Sequence, residues 1–126
     1  MKALAIVLSI APTLLAAQSA VGTWQSHPND AGFVHVRVAP CGAALCGTIV
    51  KAMNLNGESD PNHPYIGRRM IWDMMPDGAN RWSGGKIWDP IRDRTFSSKM
   101  EVAGGALHVS GCFFAICEDY VWQPVK

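Results

Sequence analysis

The chain has 126 residues, 48% hydrophobic, 17% charged and 9% aromatic, which suits one small globular domain. Eleven Lys and Arg against ten Asp and Glu leave a formal charge of +1, so the footprint of a nucleic-acid or anionic-membrane binder is missing. Beyond the N-terminus no apolar run approaches the ~18 residues of a membrane span, and there is no low-complexity tract or internal repeat.

The chain opens with one cation, Lys2, continues through a mostly apolar run over 3–17, and turns to Gln18, Ser19 and Ala20, the layout of a secretory signal. Pro12, Gln18 and Ser19 leave too little apolar length for an anchoring helix. Ala17 and Ser19 form the small-x-small site, so the expected division is a signal peptide over 1–19 and a single domain over 20–126. Its loss removes Lys2 and leaves acidic and basic residues equal in number. Cys41 is the first cysteine, too far downstream to carry a lipid at the cleavage site. The expectation is a free protein, periplasmic or secreted.

The first strand is placed at 22–26, ending at the turn His27-Pro28-Asn29-Asp30. A second follows at 33–39, where Val34, Val36 and Val38 alternate with His35 and Arg37 in the two-residue period of a half-buried strand. Pro40-Cys41-Gly42 turns the chain into a third strand at 46–52, and strands at 68–73 and 82–89 are separated by Pro76-Asp77-Gly78. After Asp89-Pro90, the strand at 94–102 sets Phe96, Met100 and Val102 on one face, interrupted by Ser98, against Thr95, Ser97, Lys99 and Glu101. Gly104-Gly105 precedes a strand at 106–112 with Leu107 and Val109 alternating with His108 and Ser110, and the last strand lies at 117–123. Eight short strands and no helical stripe argue for an all-β fold, best satisfied by an eight-stranded antiparallel up-and-down barrel that closes its own edges.

Export changes how the cysteines read, because thiols pair in an oxidising compartment. Cys41 and Cys46 are separated by four residues, as are Cys112 and Cys117, and neither gap is that of a zinc knuckle or a thioredoxin-type dithiol. Each pair brackets one hairpin turn, and in a meander these two turns lie at opposite ends of strands ~23 Å long, far beyond the ~7 Å limit on Cα separation for a bridge. The predicted disulfides are therefore Cys41 with Cys46 and Cys112 with Cys117.

Gly22-Thr23-Trp24 resembles the Gly-x-Trp of the first lipocalin strand. Together with Cys41 to Gly47, Asp60-Pro61-Asn62, the run from Gly84 to Pro90, Gly111-Cys112 and Trp122, the chain resembles the bacterial family called domain of unknown function 2147. The resemblance covers nearly all of 20–126 and implies a small lipocalin-like barrel in secreted or periplasmic proteins, with no established activity to carry over. Two positions depart from the family pattern. Asp93 stands where Gly is usual and tolerates the same left-handed backbone. Trp122 is followed by Gln123 and Pro124 in place of the family's Trp-x-Arg, which leaves Lys126 as the cation to stack on Trp24.

The segment from Met53 to Gly67 is long for a hairpin connection and reads in three ways. It is a lid over the barrel mouth, a solvated connection held by Asn and Asp turns, or a calcium loop using Asn54, Asn56, Glu58 and Asp60, although no Glu follows at EF-hand spacing. Gly84-Gly85-Lys86 fails as a phosphate loop, since Asn80 stands at the first glycine position and Ile87 follows the lysine. Its glycines instead let a strand bend or make room for a neighbouring side chain. His27, His35, His63 and His108 show no metal-ligand spacing, and neither Ser97 with Lys99 nor Asp89, Asp93 and Arg94 form a catalytic pattern. No metal, cofactor or enzymatic activity is expected.

Trp24, Trp88, Phe96, Met100 and Trp122 are the candidate ligand-binding residues, as large apolar side chains suited to a barrel wall. The favoured function is binding of a small, largely apolar molecule in the barrel. The alternative is a barrel filled by its own side chains, acting through its surface as an envelope or protein-interaction module.

Overall fold

The computed structural model describes residues 19–126, so the expected signal, apart from Ser19, lies outside the described residues. Eight strands follow in order: β1 (Gly22–Gln25), β2 (Phe33–Cys41), β3 (Ala44–Met53), β4 (Arg69–Pro76), β5 (Arg81–Asp89), β6 (Arg94–Ala103), β7 (Ala106–Phe113) and β8 (Ile116–Pro124). Each pairs antiparallel with the next, and β8 returns to β1 through Trp24 opposite Pro124 and Gln25 opposite Gln123, closing the barrel. This is the all-β up-and-down barrel expected from the strand pattern. Among the described residues no helix is long and apolar enough to cross a membrane.

The two-residue period sorts the side chains. On β6, Ser98, Met100 and Val102 are buried while Ser97, Lys99 and Glu101 are exposed. On β2, Val36 and Val38 face inward, with Arg37 between them in solvent. On β6 the outward positions are thus polar, while Val50, Met75 and Val121 are exposed on other strands. Bulges interrupt the period where the wall bends: the β2–β3 register shifts between His35 and Val36, and Asp73 on β4 takes a φ of 56°. On β5, Gly84 takes a φ of 69° at a register shift. Gly85 beside it faces Met74 so closely that a Cβ would lie 2.5 Å from its Sδ and 2.7 Å from the Trp72 carbonyl oxygen.

Even-numbered turns gather at one end of the barrel, the base, and odd-numbered ones at the other, the mouth. The base half is solid: Val36, Val38, Ile49, Ile71, Met74 and Leu107 are fully buried. Trp24 joins them, its indole Nε1 donating to the Ala20 carbonyl at 2.8 Å, so the segment before β1 helps to plug the base. Both predicted disulfides are present, Cys41–Cys46 at the base and Cys112–Cys117 at the mouth. Strand pairing runs past each pair of cysteines to a two-residue turn, so the second and third strands are longer than their hydrophobic patterns suggested.

Candidate functional site

The mouth is built from four connections: 26–32, 54–68, 90–93 and 114–115. They surround a cavity of about 870 Å³ that opens to solvent, within the ~300–1,000 Å³ range of small-molecule pockets. Its floor is apolar, formed by Val34, Ile87, Phe96, Gly111, Tyr120 and Trp122. Ile87 stands opposite Phe96 in the β5–β6 ladder, and Gly111 opposite Glu118 in the β7–β8 ladder. Gly111 follows the inward positions Leu107 and Val109 at the same period, so the wall lacks a side chain there and the lumen stays open.

One cluster of polar groups joins Tyr120, Glu118, Arg92, Asp89 and His27 at the rim. The Tyr120 hydroxyl donates to the Glu118 carboxylate. That hydrogen bond raises the phenol pKa above its ordinary value, and burial and the Glu118 charge add to it. The Arg92 guanidinium lies 3.7 Å from both Glu118 and Asp89, and 5.9 Å above the Phe96 ring. His27 approaches Tyr120 from the first connection, with ring centroids 5.7 Å apart.

The long connection after β3 is ordered by its own side chains. Asn54 Oδ1 accepts from the amides of Asn56 and Glu58, and Asp60 Oδ1 accepts from that of Asn62. An oxygen at each end of the calcium reading, Asn54 Oδ1 and Asp60 Oδ1, is therefore engaged by backbone. The turn reading describes how this segment is held, while its Met53, Asn54, Glu58, Ser59, Asp60, His63 and Tyr65 form one side of the cavity. Further along, Gly67 donates to the Ile49 carbonyl and Ile49 donates back to Arg68, which fastens the segment against β3.

This fastening explains Trp88. Its ladder partner is Thr95, which places it on the outer face opposite Ile87, yet it is only 4% exposed. Tyr65 meets its ring edge-on at 5.0 Å, the Arg68 guanidinium lies 3.3 Å over its face, and its Nε1 donates to Asp93 at 2.9 Å. Asp93 itself takes a φ of 48°, the left-handed backbone expected of it in place of glycine. The Trp–cation stack of this barrel is thus Arg68 on Trp88, while Trp24 is satisfied by the Ala20 carbonyl.

Of the five candidate residues, Trp88, Phe96 and Trp122 line the cavity. Trp24 and Met100 lie outside its lining, in the packed core, with Trp24 paired to Val36 and Met100 to Val109. Tyr120, Glu118 and Gly111 were not singled out as ligand contacts, although period two from Trp122 puts Tyr120 and Glu118 on its face.

A family model described as an uncharacterized protein conserved in bacteria, DUF2147, matches residues 22–124, and the chain belongs to that family. Among solved structures it is similar to HP1028 from the human pathogen Helicobacter pylori, a protein of the lipocalin family. That match has a TM-score of 0.68 and 12% identity over 86% of this chain and 84% of that one. No curated protein matches.

Proposed function

We propose that this DUF2147 barrel is an exported binding protein, periplasmic or secreted, that holds a small, largely apolar molecule in its mouth and carries out no chemistry on it. The observation that supports this reading is the divided interior: a solid base of aliphatic side chains and, above it, a cavity of about 870 Å³ floored by Phe96, Trp122 and Gly111. Burying apolar ligand surface there supplies roughly 25 cal/mol per Å² before ordering costs. A filled barrel would have carried side chains through to the rim. Two local disulfides in so small a domain favour an oxidising compartment, and a signal over 1–19 is the proposed route to it.

A second reading, an interaction module acting through its surface, has its own observation. Phe114 is 90% exposed at the β7–β8 turn, beside Phe113 and Ile116, which with Ile91 of the β5–β6 turn are exposed where they border the cavity. Native mass spectrometry of protein taken from the envelope without refolding separates the two. Binding requires a co-purifying small molecule or a thermal shift with an apolar probe. Repeated absence of both transfers the function to the rim.

A further inference from the structure

The mouth cavity carries an unequal charge. Its lining includes four carboxylates, Glu58, Asp60, Asp89 and Glu118, against one guanidinium, Arg92, in a chain whose basic and acidic residues otherwise nearly balance. Arg92 is already divided between two of those carboxylates, at 3.7 Å from each. An anionic head entering the mouth would have to compete with both. Arg68, outside the lining, is turned onto the Trp88 face and lies 3.8 Å from Asp93.

Glu58 and Asp60 sit on the connection after β3 and Asp89, at the end of β5, accepts from the Ile91 and Arg92 amides, whereas Glu118 is placed by strand register and takes no backbone amide among the described residues. It stands opposite Gly111 on the lumen face of β8, two residues from Tyr120 and four from Trp122. The Tyr120 hydroxyl donates its hydrogen bond to Glu118, so the one phenol on the floor that could donate to a ligand carboxylate is engaged. Phe96 lines the same cavity, and Arg92, 3.7 Å from Glu118, lies 5.9 Å over the Phe96 ring as a bound cation would.

We propose that the molecule held in this cavity is a cationic amphiphile, its apolar part against Ile87, Phe96 and Trp122 and its ammonium or guanidinium group at the Glu118 carboxylate. This rests on the binding reading above and adds the chemistry of the ligand's head. An amine in this position gains a carboxylate, with the Phe96 ring nearby, as its chain leaves water, and a fatty acid of equal length meets net negative charge.

The test is fluorescence titration of the full domain at neutral pH and low salt with decylammonium, decanol and decanoate, each below its micellar concentration. Decylammonium should bind more tightly than decanoate by about tenfold, a gap that narrows as salt is raised. Glu118→Gln should bring the two within about twofold, whereas Arg92→Gln, which frees Glu118 from its internal partner, should widen the gap. The ratio of two affinities on one sample does not depend on how much of a variant is folded, so a destabilised Glu118→Gln remains informative. Decanoate binding as tightly as decylammonium overturns the charge assignment and leaves the binding reading standing. Failure of all three probes to bind overturns both.

Discussion

Gly111 lies directly across the β7–β8 ladder from Glu118, so the inward position of β7 that has no side chain faces the inward carboxylate of β8. The lumen above the core exists at that point because of a missing side chain, which makes it simple to fill. A Cβ at Gly111 would meet Ile87 Cγ2 at 3.5 Å and Phe96 Cβ at 3.9 Å, ordinary contacts. Gly111→Met should therefore fold with a Tm near or above that of the parent, as a strand glycine is replaced, and should weaken apolar probes by about tenfold or more. Thermal denaturation and probe titration of the same preparation check both halves.

Gly85 is the opposite case. There a Cβ would lie 2.7 Å from the Trp72 carbonyl oxygen, a backbone atom that cannot rotate away. Gly85→Ala should cost about 1–3 kcal/mol, in line with other overpacked cores. For a domain of this size that lowers Tm by at least about 5 °C, measured against Ser97→Ala on the exposed face.

The two disulfides should separate stability from binding. Each closes a ring short enough that its removal costs about 2 kcal/mol. Replacing Cys41 and Cys46 with serine, at the base, should lower Tm and leave probe affinity unchanged. The same change at Cys112 and Cys117 should lower Tm similarly and also weaken binding, because that bridge clips the hairpin carrying Gly111, Glu118 and Tyr120. Peptide mapping of the parent should recover only the two local links.

His35 gives the fold a pH dependence of known sign. Burial holds its pKa below the ordinary 6.5, and Lys51, its ladder partner, pushes it the same way. The unfolded chain therefore takes up a proton at a higher pH than the folded one, so stability is full above pH 6.5 and falls as the pH drops through and below that value. Between pH 7.5 and 5.5, Tm of the parent should decline more than Tm of His35→Gln; parallel curves would contradict the assignment.

The parts of the fold legible in the sequence are those written in local period and turn chemistry. Val34, Val36 and Val38 marked β2 with its inward face, and the cysteine spacings, once placed on a meander, left a single pairing. Trp88 shows what was not legible. Alternation puts it outside the barrel, and only Tyr65 and Arg68, arriving from a connection with no hydrophobic period, bury it. Met70 and Ile71 are adjacent and both buried because bulges shift the β3–β4 register, which no simple alternation shows. Glu118 reads as a surface charge in isolation; its place in the mouth depends on the register of β8 against β7.

Intermolecular nuclear Overhauser effects between bound decylammonium and the isotopically labelled domain test the central claim most directly. Chain protons should show contacts to Phe96, Trp122 and Ile87 on the cavity floor, and Gly111→Met should abolish them. Contacts confined to Phe114, which lies outside the cavity lining at the β7–β8 turn, and unaffected by that substitution, would show that the mouth holds nothing and that the surface is what the protein uses.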